Sequence, residues 1–248
     1  MCLIMLQPKG TDVLTKETAE AAWQNNPDGA GFMLAFNGKL IVRKPFFRFK
    51  KFWKAYQRAR NVFGIEAPFV IHWRIATHGG VTPLNTHPFT FAQGEVGIAH
   101  NGILPWLPVD DTVSDTRFFV EESLKKTTAD ESMTLDFADT VQELVGRTNK
   151  MVLLRADGEW NIVNEDEGSW RGEAWYSNTS SLYRYNTYFS TGGFSKVSSW
   201  TPKLDRETDE DWRERDWLEF IVKRNQEERD EMKHGSLYDQ NGRYCYGE

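Results

Sequence analysis

Two rhythms of apolar and polar positions run along the chain. Phe32 to Val42 and Met151 to Val163 carry alternating or continuous apolar runs interrupted by Asn37-Gly38 and Asp157-Gly158, and a third such dipeptide, Asn241-Gly242, lies within Leu237 to Tyr246. Each predicts an antiparallel hairpin, because both central residues of a type I′ turn adopt positive φ, which Asn, Asp and Gly tolerate. Further strands read from Pro68 to Ile75 and from Glu95 to Leu104. The helical rhythm, with apolar residues three and four apart, marks Thr15 to Asn25, Phe49 to Arg60, Ser114 to Lys125 with Ser114 as N-cap, and Thr134 to Gly146. Antiparallel strands interspersed with amphipathic helices predict a layered α+β fold in which helices cover sheet faces.

After residue 180 the pattern changes. Residues 180–203 are rich in Ser, Thr, Tyr and Gly without periodicity and read as loop. From Asp205 to Lys233, Trp217, Leu218, Ile221 and Val222 form one narrow stripe in a charged segment, which predicts an exposed C-terminal helix followed by the short Asn241-Gly242 hairpin. The expected division is therefore a domain over residues 1–200 and an extension over residues 201–248. Of the net charge of −6, most resides in Asp205 to Lys233, where twelve acidic residues face seven basic ones. The rest of the chain is close to neutral, against a dedicated nucleic-acid binder. The basic, aromatic stretch Arg43 to Arg60 accordingly reads as an amphipathic helix with its rings buried rather than as a nucleic-acid surface.

The opening Met1 to Pro8 has no basic region, and its apolar run stops at Gln7, too short for an export signal. No apolar stretch approaches the ~20 residues a bilayer requires. Two cysteines, Cys2 and Cys245, do not make a disulfide framework, so a cytoplasmic protein without membrane attachment is expected.

Cys2 has chemical potential because initiator methionine is normally removed before a small side chain. The exposed α-amine, with an ordinary pKa of ~7.7–8.0, then stands beside a thiol of ~8.5 and is able to take its proton. Nucleophile and base would share one residue. Three other segments supply matching apparatus. His72 to Gly80 ends a strand in a glycine-rich turn, where Arg74 offers a fork for a carboxylate. Asn101-Gly102, again at a strand end, pairs an amide with a backbone N–H as an oxyanion hole does. Asp115 stands at a helix start, where a carboxylate is also favoured by the helix dipole alone. Four histidines, His72, His78, His87 and His100, fall six, nine and thirteen residues apart, which does not match the short paired spacings of zinc sites. Neither metal nor cofactor is expected, and His72 and His100 read as packed, hydrogen-bonded imidazoles.

In order, Cys2, Asn26-Pro27-Asp28-Gly29-Ala30-Gly31, His72 to Gly79, Asn85-Thr86-His87-Pro88-Phe89, Ala99-His100-Asn101-Gly102 and Ser114-Asp115-Thr116 resemble the class II glutamine amidotransferase domain, an N-terminal-nucleophile (Ntn) hydrolase. The resemblance covers Cys2 to about residue 180. It implies a four-layer αββα sandwich, with Cys2 as nucleophile through a thioester and Asn101 and Gly102 as oxyanion hole. Arg74 would hold the glutamine α-carboxylate with help from Thr77 and His78. Asp115 would hold the α-ammonium, and Asp28 and Gly29 would shape the pocket. Asn85, His87 and Pro88 would give structural support. Leu3 where large synthases usually carry Gly, Ile75 where many members have Trp, and Arg117 where Glu is common point to a stand-alone subgroup.

The function so implied is hydrolysis of the side-chain amide of L-glutamine to glutamate and ammonia, a glutaminase step whose ammonia passes to an acceptor on a separate protein in a full amidotransferase. Two other readings remain open at this point: an Ntn amidase acting on another small amide, and a catalytically silent glutamine-binding module.

Overall fold

A computed structural model describes residues 2–77, 79–107 and 112–180. They belong to one compact unit, Met1–Phe189; a second, Ser190–Glu248, lies outside the described residues. The expected boundary at residues 200 and 201, the helix over Asp205 to Lys233 and the Leu237 to Tyr246 hairpin lie outside them as well.

Among the described residues the strands are β1 (Leu3–Gln7), β2 (Ala30–Phe36), β3 (Lys39–Phe46), β4 (Phe69–Trp73), β5 (Phe89–Phe91), β6 (Val96–Asn101), β7 (Lys150–Arg155), β8 (Trp160–Val163), β9 (Ser169–Arg171) and β10 (Ala174–Tyr176). The α-helices are α1 (Lys16–Asn25), α2 (Phe49–Phe63), α3 (Asp115–Phe118), α4 (Ala129–Ser132) and α5 (Leu135–Val145). The strands form a six-stranded sheet in the order β3-β2-β4-β1-β10-β9 and a four-stranded sheet in the order β5-β6-β7-β8. All the pairings are antiparallel.

The two-residue period of a strand sends alternate side chains to opposite faces. Ile4, Leu6, Met33, Ala35 and Val70 of the large sheet meet Ala99, Val152, Leu154 and Ile162 of the small one, so the sheets pack face to face. The opposite parity on the large sheet, Phe32, Phe69 and Trp73, takes up helix α2. Its Phe52 lies 5.6 Å from the Trp73 ring, and its Tyr56 lies 5.8 Å from Phe69. Residues Phe52, Ala55, Tyr56, Ala59 and Phe63 are buried along one side of α2. On the outer face of the small sheet, Ile98, Met151 and Leu153 pack with Val141 and Val145 of α5 and Phe119. The result is the four-layer αββα sandwich expected.

Local chemistry explains where elements begin and end. Thr15, Ser114, Thr128 and Thr134 each cap a helix through the side-chain oxygen, and Thr128 with Glu131 closes a reciprocal capping box. At the β2–β3 turn, Asn37 and Gly38 have φ of 49° and 70°, as a two-residue turn requires. The β7–β8 connection corrects the expectation for Asp157-Gly158, since only Gly158 has positive φ, at 99°. Gly158 N–H donates to Arg155 O and Arg155 N–H to Glu159 O, which makes a longer turn closed by a left-handed glycine. The single helix expected over Ser114 to Lys125 is also corrected. After one α-helical turn it widens at Phe119–Ser123, where Leu124 N–H reaches back five residues to Phe119 O.

Candidate active site

Strand parity brings the site together. Cys2 shares the inward parity of Ile4 and Leu6, Arg74 that of Val70, and Asn101 that of Ala99. Because β1 and β4 pair with Leu3 opposite Trp73, the next positions outward, Cys2 and Arg74, fall side by side at one end of the inter-sheet layer. The small sheet is tied in there by His72, whose Nε2 lies 3.0 Å from His100 O, immediately before Asn101.

Cys2 Sγ lies 3.4 Å from both Ile75 O and Ile75 N, so the thiol rests against the chain just beyond Arg74. Burial pushes the thiol above its ordinary range, against the pull of the Ile75 hydrogen bond and the Arg74 cation. Arg74 is itself buried, and burial lowers it while Cys2, Asp28 and Asp115 hold it up. One guanidinium nitrogen donates to Gly80 O at 2.7 Å. Arg74 N–H donates to Gly29 O and its carbonyl accepts from Asp28 N–H. Asp28 Oδ2 accepts Ala76 N–H at 2.8 Å. The Asp28-Gly29 loop therefore clasps the Arg74 segment on both sides.

Asp115 is buried at the start of α3, with Oδ2 accepting Leu104 N–H at 2.9 Å and Oδ1 accepting Thr116 N–H at 2.7 Å. Asn85 connects this helix start to the Arg74 loop. Its Oδ1 accepts Ser114 N–H, and its amide nitrogen donates to Gly79 O and to Thr112 O. Gly79, at φ 70°, lies so close to Ser114 that an added Cβ would sit 2.5 Å from its nitrogen. Thr77 is exposed on this loop, and His78 lies outside the described residues.

Asn101 is buried, and its Nδ2 donates to Ser177 Oγ at 2.9 Å. Gly102 has no room for a side chain, since an added Cβ would fall 2.0 Å from Asn149 Oδ1. Asn149 amide nitrogen donates to Val145 O at 2.6 Å, which turns its oxygen toward His100 Nε2 at 2.9 Å. Nε2 therefore carries the proton, and Nδ1 accepts from the Thr116 hydroxyl at 2.8 Å. Burial pulls His100, His72 and His87 below the ordinary imidazole range, His72 to about 3, so all three are neutral. His72 and His87 stack with ring centres 4.0 Å apart. The described residues contain no group of three or more His, Cys, Asp or Glu able to hold a metal ion.

Of the residues singled out from sequence, Cys2, Asp28, Gly29, Arg74 and Asp115 share one neighbourhood, Asn101 is joined to β1 through Ser177 and Ile4, and Gly102 lies against Asn149 and His100. Ser177, Asn178 and Asn149 escaped sequence reasoning. They carry no motif, and each acts across 49 or more residues of chain.

No protein-family profile matches the chain. It is 38% identical over 81 residues to the glutamine-fructose-6-phosphate aminotransferase (isomerizing) of Aquifex aeolicus, covering 31% of this chain and 12% of that protein. To the same-named protein of Corynebacterium glutamicum it is 27% identical over 152 residues, covering 55% of this chain and 23% of that protein. The chain thus matches less than a quarter of the length of these curated relatives. Among solved structures, the glutamine phosphoribosylpyrophosphate amidotransferase from B. subtilis, complexed with ADP and GMP, aligns with a TM-score of 0.46 at 17% identity. That alignment covers 73% of this chain and 42% of the other.

Proposed function

We propose that this chain is a class II glutamine amidotransferase domain that hydrolyses the side-chain amide of L-glutamine through Cys2 once Met1 is removed. The observation that carries the reading is the juxtaposition of the Cys2 thiol with one buried cation, Arg74, and two carboxylates, Asp28 and Asp115. A free amino acid presents an anion and a cation at its α-carbon, and a site with both complementary charges suits it better than a simple amide. The sequence similarity to two aminotransferases named for glutamine supports the same substrate.

In this reading Arg74 binds the α-carboxylate, with Thr77 and His78 beside it, and Asp115 binds the α-ammonium. Asp28 and Gly29 shape the pocket wall. Burial keeps the Cys2 thiol protonated, so attack requires a local base, and the new α-amine of Cys2 fills that role. Sulfur adds to the amide carbon as the amine takes the thiol proton. The oxyanion is met by the Asn101 amide and the Gly102 N–H. The ammonium of Cys2 returns a proton to the departing nitrogen, ammonia leaves, and a thioester remains. Water, deprotonated by the same amine, then releases glutamate and restores the thiol.

In this proposal the chain is a stand-alone cytoplasmic member of that class, its catalytic domain spanning residues 1–200 with residues 201–248 an extension, and its ammonia is delivered to an acceptor on a separate protein. A chain truncated after residue 200 is expected to keep glutamine hydrolysis. A chain with residues fused ahead of Cys2 is expected to fold and be inactive, and activity in that fusion would refute the amine as base.

A further inference from the structure

The last described residues of the large sheet make contacts that the proposed chemistry has not yet used. Beyond β10, Ser177 continues the pairing with β1, its N–H donating to Ile4 O at 3.0 Å. Ser177 Oγ accepts two hydrogen bonds at 2.9 Å, one from Ile4 N–H and one from Asn101 Nδ2. A hydroxyl oxygen has two acceptor positions, so both are filled and the oxygen cannot turn away from either donor. Asn101 is fully buried, and its Oδ1 has no hydrogen-bond partner among the described residues. Among the described residues, Ser177 is thus the hydrogen-bond partner that sets the rotation of this amide. One residue on, Asn178 Nδ2 donates to Cys2 O at 2.6 Å, while Asn178 Oδ1 accepts Ser180 N–H at 2.9 Å.

An amide nitrogen has two hydrogens. With one directed at Ser177, the other has a single remaining direction, which is what an oxyanion donor requires. The Cys2 carbonyl, held by Asn178, limits rotation of the residue that carries both nucleophile and base. We propose that Ser177 and Asn178 are positioning residues, Ser177 orienting the Asn101 amide and Asn178 fixing Cys2, so that one dipeptide aligns the oxyanion donor of one sheet with the nucleophile of the other. This rests on the glutaminase reading above.

The test is steady-state glutamine hydrolysis by processed wild-type protein, Ser177→Ala, Asn101→Ala, the double variant and Asn178→Ala, with thermal melts alongside. Loss of an oxyanion donor costs ~10²–10³ in kcat, and misdirecting one is expected to cost about tenfold in Ser177→Ala with KM within about twofold of wild type. In the Asn101→Ala background the Ser177 substitution is expected to cost nothing further, because the amide it orients is gone. Losses that multiply in the double variant, or an unchanged kcat in Ser177→Ala, overturn the proposal while leaving the glutaminase reading intact. Should Ser177→Ala fail to fold, the half-buried Asn178 serves. Asn178→Ala is expected to lower kcat at least about threefold at constant KM, since part of the preorganisation is lost, and wild-type kcat there overturns the proposal. Absence of hydrolysis by wild-type protein overturns the reading itself and this inference with it.

Discussion

In the proposed reaction, Arg74 and Gly102 divide binding from chemistry between single residues. A guanidinium already buried and held by Gly80 O has been desolvated in advance of any ligand, so a carboxylate meets it without displacing much water. Arg74→Ala is expected to raise KM for glutamine by about 30-fold or more, the equivalent of a charge-assisted pair of ~2–5 kcal/mol. Unchanged kinetics would remove Arg74 from the site. Gly102 works by what it lacks. With Asn149 Oδ1 2.0 Å from the position of a Cβ, Gly102→Ala is expected to push the loop off Asn149 and His100 and lower kcat at least tenfold, on the order of one misdirected oxyanion donor. Gly38→Ala is the control, because nothing lies within 4 Å of its added Cβ and its φ of 70° costs only local strain. Its melting temperature should fall and its activity should not.

Among the elements, helix α2 ties the end of β1 to the loop that follows it. Tyr56 hydroxyl accepts Leu14 N–H at 2.9 Å and Arg60 Nε–H at 3.2 Å and donates to Gln7 Oε1 at 3.0 Å, all in a buried setting. Tyr56→Phe is expected to destabilise the protein by about 1–3 kcal/mol, the cost of orphaned buried polar groups, read as a shift in urea midpoint. No shift would mean that water replaces the hydroxyl. Elements with strong local signals were legible in the sequence: α2 through its apolar stripe, the Asn37-Gly38 hairpin through its turn residues, and α5 through the Thr134 cap and Gly146. Strands β5, β9 and β10, three residues each, were not, because their stability comes from neighbours distant in sequence. Helix α4 carries a capping-box spacing at Thr128 and Glu131, but its four residues are too short to show a helical period. The candidate site was readable at Cys2 from its place after Met1, and at Arg74 and Asn101 from motifs at strand ends. It was illegible at Asn149, Ser177 and Asn178, whose roles arise only when the two sheets are stacked.

Over the molecule as a whole, three neutral imidazoles lie in and beside the layer between the sheets, and this sets how stability responds to pH. His72, His87 and His100 have folded pKa values lowered by burial, whereas in the unfolded chain each titrates near 6.5. Below that value the unfolded chain binds protons that the folded protein refuses. Their contribution to stability is therefore fully present above about pH 6.5 and is lost as pH falls toward the folded values, at up to about 4 kcal/mol per pH unit for three groups. Urea midpoints should drop steeply between pH 7 and pH 5, and a flat profile would show that the histidines are hydrated or charged in the folded protein. At the same scale, the proposed function makes a single chemical claim, that Cys2, the paired charges beside it and the Asn101-Gly102 strand end act together on one amide. The measurement that tests it most directly is glutamate release from L-glutamine by protein verified by mass spectrometry to begin at Cys2, with Cys2→Ala in parallel. Glutamate and ammonia in equal amounts from the wild type, and none from Cys2→Ala, is the predicted result. Release that persists in Cys2→Ala, or no release from correctly processed wild-type protein, would contradict it.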